Sequence, residues 1–219
     1  MGILNMKHLI LLTVLIMPSF VSAEPASNMV WMPETLDFVE AGNIKKGEQL
    51  AEPCIGCHGE KGISPAGMFP SLAGQTANYT YKQLRDYADG KRDNVMMSSV
   101  AQGLSEQDSA DLAVWFQSLP AAQNKASKQD LSKAEVLVDQ GNGKKILPPC
   151  FTCHGADGKG QRMDIPALAG QQAEYTINTL LEYKNGTRHN DIYSRMRLIA
   201  RQLSDDEIKQ LGELYQQMK

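Results

Sequence analysis

CIGCHG at residues 54–59 and CFTCHG at residues 150–155 decide how this 219-residue chain is read. The chain has four cysteines and four histidines. All four cysteines, Cys54, Cys57, Cys150 and Cys153, fall in one Cys-x-x-Cys-His pattern used twice. So do two of the histidines, His58 and His154. Chance does not spend residues this way, so the pattern calls for a mechanism.

Three chemistries use paired cysteines at this spacing. A redox dithiol does not need the next residue to be histidine, and no βαβ pattern of the thioredoxin kind surrounds either site. Structural zinc would have to bring together two pairs separated by 92 residues, against roughly 15–20 in zinc ribbons. Covalent haem needs what is present: two thiols to bond the porphyrin vinyl groups and an adjoining histidine to reach the iron. Two motifs predict two covalently bound haem c groups, with His58 and His154 as axial ligands. The chain is 6% aromatic, lean for two cores, and a porphyrin in each would supply the missing apolar bulk.

The two motifs belong to longer matching blocks. At an offset of 96, FPSLAGQ (69–75) meets IPALAGQ (165–171), Tyr79 meets Tyr175, GKRDN (90–94) meets GTRHN (186–190), and Gly47 meets Gly143. The register then slips by three, and Met97 with Met196 and GLS (103–105) with QLS (202–204) continue the match. One unit has been duplicated. Each half ends in a segment with helical apolar spacing. Leu112, Trp115, Phe116 and Leu119 follow a cap at Ser105 in the first, and Ile208, Leu211 and Tyr215 follow Ser204 in the second. Period-two alternation is absent over any useful length, so the expected fold class is all-α with long connections. The polar stretch PAAQNKASKQDLS, starting at Pro120, reads as a linker. The expected division is 1–23, 24–120, linker 121–132, and 133–219.

Each iron needs a sixth ligand or an open face. His189 is the one histidine left over once a leader carrying His8 is removed, so at most one haem has two histidines. Of the 11 methionines, Met97 and Met196 share a repeat position, each seven residues before a matched leucine. Met68 and Met163 have no such partner. Met97 and Met196 are therefore the expected axial ligands, with Met96 as the rival to Met97. Pro70 and Pro166, each 12 residues after its histidine, are placed to offer a carbonyl to the histidine's other ring nitrogen. Arg92 and Arg188 hold matched positions and suit haem propionates; an exposed, solvated arginine is the equal alternative.

The chain opens with Lys7, an apolar run over 9–17, Pro18 and small residues ending at Ala23. That is the layout of a secretory signal peptide cleaved after about Ala23, too short to span a bilayer. Cleavage leaves 21 basic against 25 acidic residues, so nothing favours nucleic-acid binding. Export also fits covalent haem, which is attached outside the cytoplasm.

With these motifs, M-x6-LS and the repeat taken together, the chain resembles the cytochrome c4 family from about Gly47 to its end. The resemblance implies two tandem class I cytochrome c domains, each wrapped around one haem, with low-spin His/Met irons packed across the domain interface. It implies a periplasmic electron carrier rather than an enzyme, working between a respiratory donor and a terminal oxidase or reductase. Expected partners are redox proteins, such as a quinol-oxidising complex, a terminal oxidase or a dehydrogenase, with peripheral membrane association possible. The alternatives are a cytochrome subunit of a dehydrogenase such as a flavocytochrome, and a dihaem peroxidase. Two features depart from the family pattern: residues 24–46, with Trp31, extend ahead of the expected first helix, and Pro148-Pro149 stand where a helix should lead into the second motif.

Overall fold

Ser105 accepts the Asp108 N–H at 3.0 Å while Asp108 takes the Ser105 N–H at 3.2 Å. Ser204 and Glu207 repeat the exchange at 3.2 and 2.6 Å. Each reciprocal pair satisfies two backbone donors that a helix N-terminus leaves open. The capped helices are the ones the apolar spacing predicts, and each organises the core of its own half.

The structure, a computed structural model, describes residues 25–124 and 129–219. The expected signal peptide, 1–23, and the middle of the linker lie outside these residues. In the first half the helices are α1 (Pro33–Glu40), α2 (Ile44–Leu50), α3 (Ile55–His58), α4 (Ala77–Ala88), α5 (Val95–Gln102) and α6 (Glu106–Ser118). The second half has α7 (Ser132–Asp139), α8 (Phe151–His154), α9 (Ala173–Asn185), α10 (Arg195–Ala200) and α11 (Asp205–Gln217). Two isolated bridges, Asn142–Leu147 and Gln161–Ile165, are the extended pairings among the described residues.

Helix α6 buries two faces. Ala110, Ala113 and Val114 pack with Val39 and Tyr81, and Leu112, Trp115 and Phe116 pack with Ala51 and the Cys54 side chain. The N-terminal extension therefore has a structural role: Met29, Trp31 and Phe38 cover the first of these clusters. In the second half, α11 contributes Ile208, Leu211, Leu214 and Tyr215 to a core with Leu137, Leu180 and Leu203, against which Cys150 and Met196 pack.

One pairing from the repeat is corrected. Gly47 lies where α2 crosses α6 so closely that a Cβ there would stand 2.0 Å from the Asp111 carbonyl oxygen, whereas a Cβ on Gly143 would meet nothing. The residue that packs beneath α11 is Ala134 of α7, fully buried with Ile208 and Leu211. Residues 140–149 form a loop closed by the Asn142–Leu147 bridge, because Pro148-Pro149 cannot continue a helix into the motif. The linker also ends earlier than its polarity indicates, since Leu131 is buried in the second core and Ser132 opens α7.

Candidate haem sites and the interface between them

Each Cys-x-x-Cys-His motif folds as a single helical turn, α3 or α8, directly after its first cysteine. The turn stops at a glycine with positive φ, Gly59 at 81° and Gly155 at 83°. A Cβ on Gly59 would sit 1.9 Å from the Ile63 carbonyl oxygen, so the sixth residue of the motif is set by backbone geometry. The four thiols form no disulfide. Burial raises the Cys54 thiol and pushes Cys150 up to about 11. A dithiol oxidoreductase needs the opposite, a thiol shifted down towards neutrality.

His58 Nδ1 donates to the Pro70 carbonyl at 2.9 Å, and His154 Nδ1 donates to the Pro166 carbonyl at 3.0 Å. A carbonyl can only accept, so the proton sits on Nδ1 and the Nε2 lone pair is left for a metal. Both imidazoles are buried, and burial lowers both pKa values, with the proline carbonyl opposing. A neutral, oriented imidazole is what iron ligation requires.

The methionine positions fall on matched short helices. Asn94 caps α5 by accepting the Met97 N–H at 3.0 Å. Met97 is half-buried while Met96 is 55% exposed. Met196 lies on α10 against the second core, and Met68 and Met163 are exposed. The three extra residues before Met196 form a turn over Ile192–Ser194, in which Tyr193 and Ser194 take φ of 58° and 57°. Asp191 secures that turn, accepting from Arg197 N and Nε at 2.9 and 2.6 Å.

Arg92 and Arg188 are not solvated surface residues: they are 8% and 4% exposed. Each guanidinium stacks on a tyrosine of its own half, Arg92 on Tyr87 at 4.7 Å and Arg188 on Tyr183 at 4.6 Å. Each donates to a tyrosine hydroxyl of the other half, Arg92 to Tyr175 at 3.1 Å and Arg188 to Tyr79 at 3.0 Å. The Gln83 Oε1 atom accepts from both, at 2.8 and 2.9 Å. Burial alone would raise the Tyr175 phenol, but the two guanidiniums outweigh it and bring it down to about 8. Arg188 Nη1 is buried with no partner. Two buried cations with a donor to spare fit carboxylate groups, and a haem carries two.

Residues that the repeat did not flag as functional join the halves. Lys82 donates to the Asn190 carbonyl at 2.7 Å and pairs with Asp86, which also accepts from Asn190 Nδ2 at 2.7 Å. Gln75 and Gln171 reach across in opposite directions, and their place inside the matched AGQ blocks was the available signal.

Two helical units, each with a one-turn Cys-x-x-Cys-His helix, an Nδ1-anchored histidine and a methionine-bearing helix, define a dihaem c-type cytochrome. The family model "Cytochrome c" matches residues 44–120 and again 141–217. Cytochrome c4 of Pseudomonas aeruginosa is 36% identical over 178 residues, covering 80% of this chain and 89% of its own. A protein of Stutzerimonas stutzeri named thiosulfate dehydrogenase electron acceptor is 36% identical over 170 residues, 75% of this chain and 78% of its own. The crystal structure of reduced recombinant cytochrome c4 from Pseudomonas stutzeri superposes with a TM-score of 0.79 at 33% identity, covering 82% of this chain and all of that one. The chain belongs to the cytochrome c4 family. It is a dihaem electron-transfer protein with two covalently bound haem c groups, and Cys54/Cys57 and Cys150/Cys153 fit the attachment motifs.

Proposed function

We propose that the chain is an exported, periplasmic electron carrier in which Cys54 and Cys57 anchor one haem and Cys150 and Cys153 the other. His58 and Met97 close the first iron, and His154 and Met196 close the second. When bound, each haem supplies one-electron cycling between ferric and ferrous iron. The protein's part is to keep other chemistry out: a closed iron gives oxygen or peroxide no site, and a methionine ligand holds the potential above that of a bis-histidine haem. The observation that carries this reading is the identity of the two donor sets, with the same Nδ1-to-proline bond in both halves. A peroxidase would need an acid/base group over one iron, and the spare histidine, His189, is exposed.

The donor is a periplasmic dehydrogenase or quinol-oxidising complex, and the acceptor a terminal oxidase or reductase. The relative named thiosulfate dehydrogenase electron acceptor favours a second form of the same chemistry, a cytochrome that takes electrons from a dedicated dehydrogenase. Copurification of a second chain from the native host separates the two.

The first test is the oxidised and reduced spectrum of the periplasmically expressed protein with pyridine haemochrome quantification. Two haems per chain, with the methionine-to-iron band near roughly 695 nm at twice the single-haem intensity, are expected. A high-spin component overturns the closed-carrier reading. The mature protein is expected to begin at Glu24.

A further inference from the structure

The carbonyl that orients each iron-binding histidine sits one residue before a clamp made by the opposite domain. Ser71 follows Pro70, and Ala167 follows Pro166. Gln171, from the second domain, accepts the Ser71 N–H through Oε1 and donates through Nε2 to the Ser71 carbonyl, both at 2.9 Å. Gln75, from the first domain, accepts the Ala167 N–H at 2.8 Å and donates to the Ala167 carbonyl at 3.0 Å. Each amide thus pins both backbone groups of one residue across the domain boundary.

The clamps are preorganised. Gln75 Oε1 also accepts its neighbour's N–H, Thr76 N, at 2.9 Å, and Gln171 Oε1 accepts Gln172 N at 2.9 Å. These neighbours are the residues immediately before α4 and α9, so each side chain is fixed to the start of a long helix in its own domain. Both glutamines are buried. A buried amide bonded at both ends holds its target more rigidly than a loop held by its own domain alone.

We infer that Gln75 and Gln171 are crossed positioning residues. Gln75 of the first domain sets the Pro166 carbonyl and hence His154, and Gln171 of the second sets the Pro70 carbonyl and hence His58. The inference rests on the reading of His58 and His154 as iron ligands. A hydrogen bond from Nδ1–H to a fixed acceptor makes the imidazole a stronger donor and favours ferric iron. Loosening the carbonyl weakens that bond and raises the reduction potential of the haem concerned. The step served is transfer of one electron, one centre being oxidised as the other is reduced, and it needs no co-reactant. Under this arrangement, loss of contact between the domains is felt at both histidines, so docking and potential are linked.

The test uses Gln75→Leu and Gln171→Leu in the haem-loaded protein. The potential of each haem is read separately by redox titration of haem-methyl NMR signals assigned to each domain. Gln75→Leu is expected to raise the potential of the second-domain haem several times more than that of the first. Gln171→Leu is expected to do the reverse. Amide exchange should accelerate at Ala167 in the first variant and at Ser71 in the second. Equal shifts of both haems in both variants, or a larger shift in the variant's own domain, overturn the inference. Failure of the histidine assignment is distinct, because it shows in the unsubstituted protein as the absence of hyperfine-shifted axial-imidazole proton signals from His58 and His154.

Discussion

Lys82 and Asp86 form an ion pair whose two side chains are each 2% exposed, at the boundary between the domains. Lys82 spends a second hydrogen on the Asn190 carbonyl of the other half. Asp86 accepts in addition from Ser27 of the N-terminal extension at 2.5 Å and from Asn190 Nδ2. One carboxylate therefore ties together the first domain, its N-terminal strap and the second domain. Burial pushes the lysine pKa down while Asp86 pushes it up.

Removing one partner of a buried pair leaves the other charge uncompensated, which costs about 3–5 kcal/mol. Asp86→Ala is expected to lose that much in denaturant unfolding. Lys82→Met strands the buried Asp86 carboxylate in the same way and is expected to cost a similar amount. The double variant Lys82→Met/Asp86→Ala strands neither charge and should cost less than either single change. A double variant that loses the sum of the two single losses would sink the idea that the stranded charge is what matters.

Helix register gives a second test. Gly47→Ala places a methyl 2.0 Å from the Asp111 carbonyl oxygen, so α2 and α6 must separate. A loss of about 3 kcal/mol, at the upper end of the usual overpacking cost, is expected. Gly143→Ala meets open space and is expected to be neutral or to stabilise by up to about 1 kcal/mol. Thermal unfolding of the two variants measures both, and similar losses would restore Gly143 as the counterpart of Gly47.

That contrast shows where the sequence is legible. Local signals carried well: Ser105 and Ser204 cap the helices their spacing indicates, and the equal 12-residue step from histidine to proline corresponds to a hydrogen bond in both halves. The offset of 96, counted from the cysteines, failed upstream of them, where a loop replaces the end of a helix and a chance glycine hides the change. Pro148-Pro149 was the available warning. The arginines could not be placed from sequence because their burial depends on four tyrosines, Tyr79, Tyr87, Tyr175 and Tyr183, brought together from both halves. Gln83 and Asp86 act through contacts with the other domain, which local spacing does not encode.

Tyr175 reports on where the haem carboxylates lie. Facing Arg92 and Arg188, its phenol is pulled down to about 8 against the effect of burial. Carboxylates on the same guanidiniums cancel that pull and return it towards the ordinary value near 10. Ultraviolet titration of the haem-loaded protein, with Tyr175→Phe as the subtraction, is expected to show no such phenol ionising below about 9. A group ionising near 8 places the propionates elsewhere. In that case the folded pKa lies below the unfolded one, so the stability of the protein relative to Tyr175→Phe would rise between about pH 8 and 10.

The methionine assignment separates two adjacent residues. Met97 is half-buried and its amide is held by the Asn94 cap, whereas Met96 on the same turn is 55% exposed. Neighbours one apart on a helix point about 100° from each other, so both cannot address the same iron. Met97→Leu is expected to halve the band near roughly 695 nm, lower the potential of the first-domain haem and leave the second-domain haem low-spin. Met96→Leu should leave both bands and both potentials in place. Met196→Leu should remove the other half of the band. If Met96→Leu erases the first-domain band instead, α5 must rotate by that angle on haem attachment, and Met96 takes the ligand role.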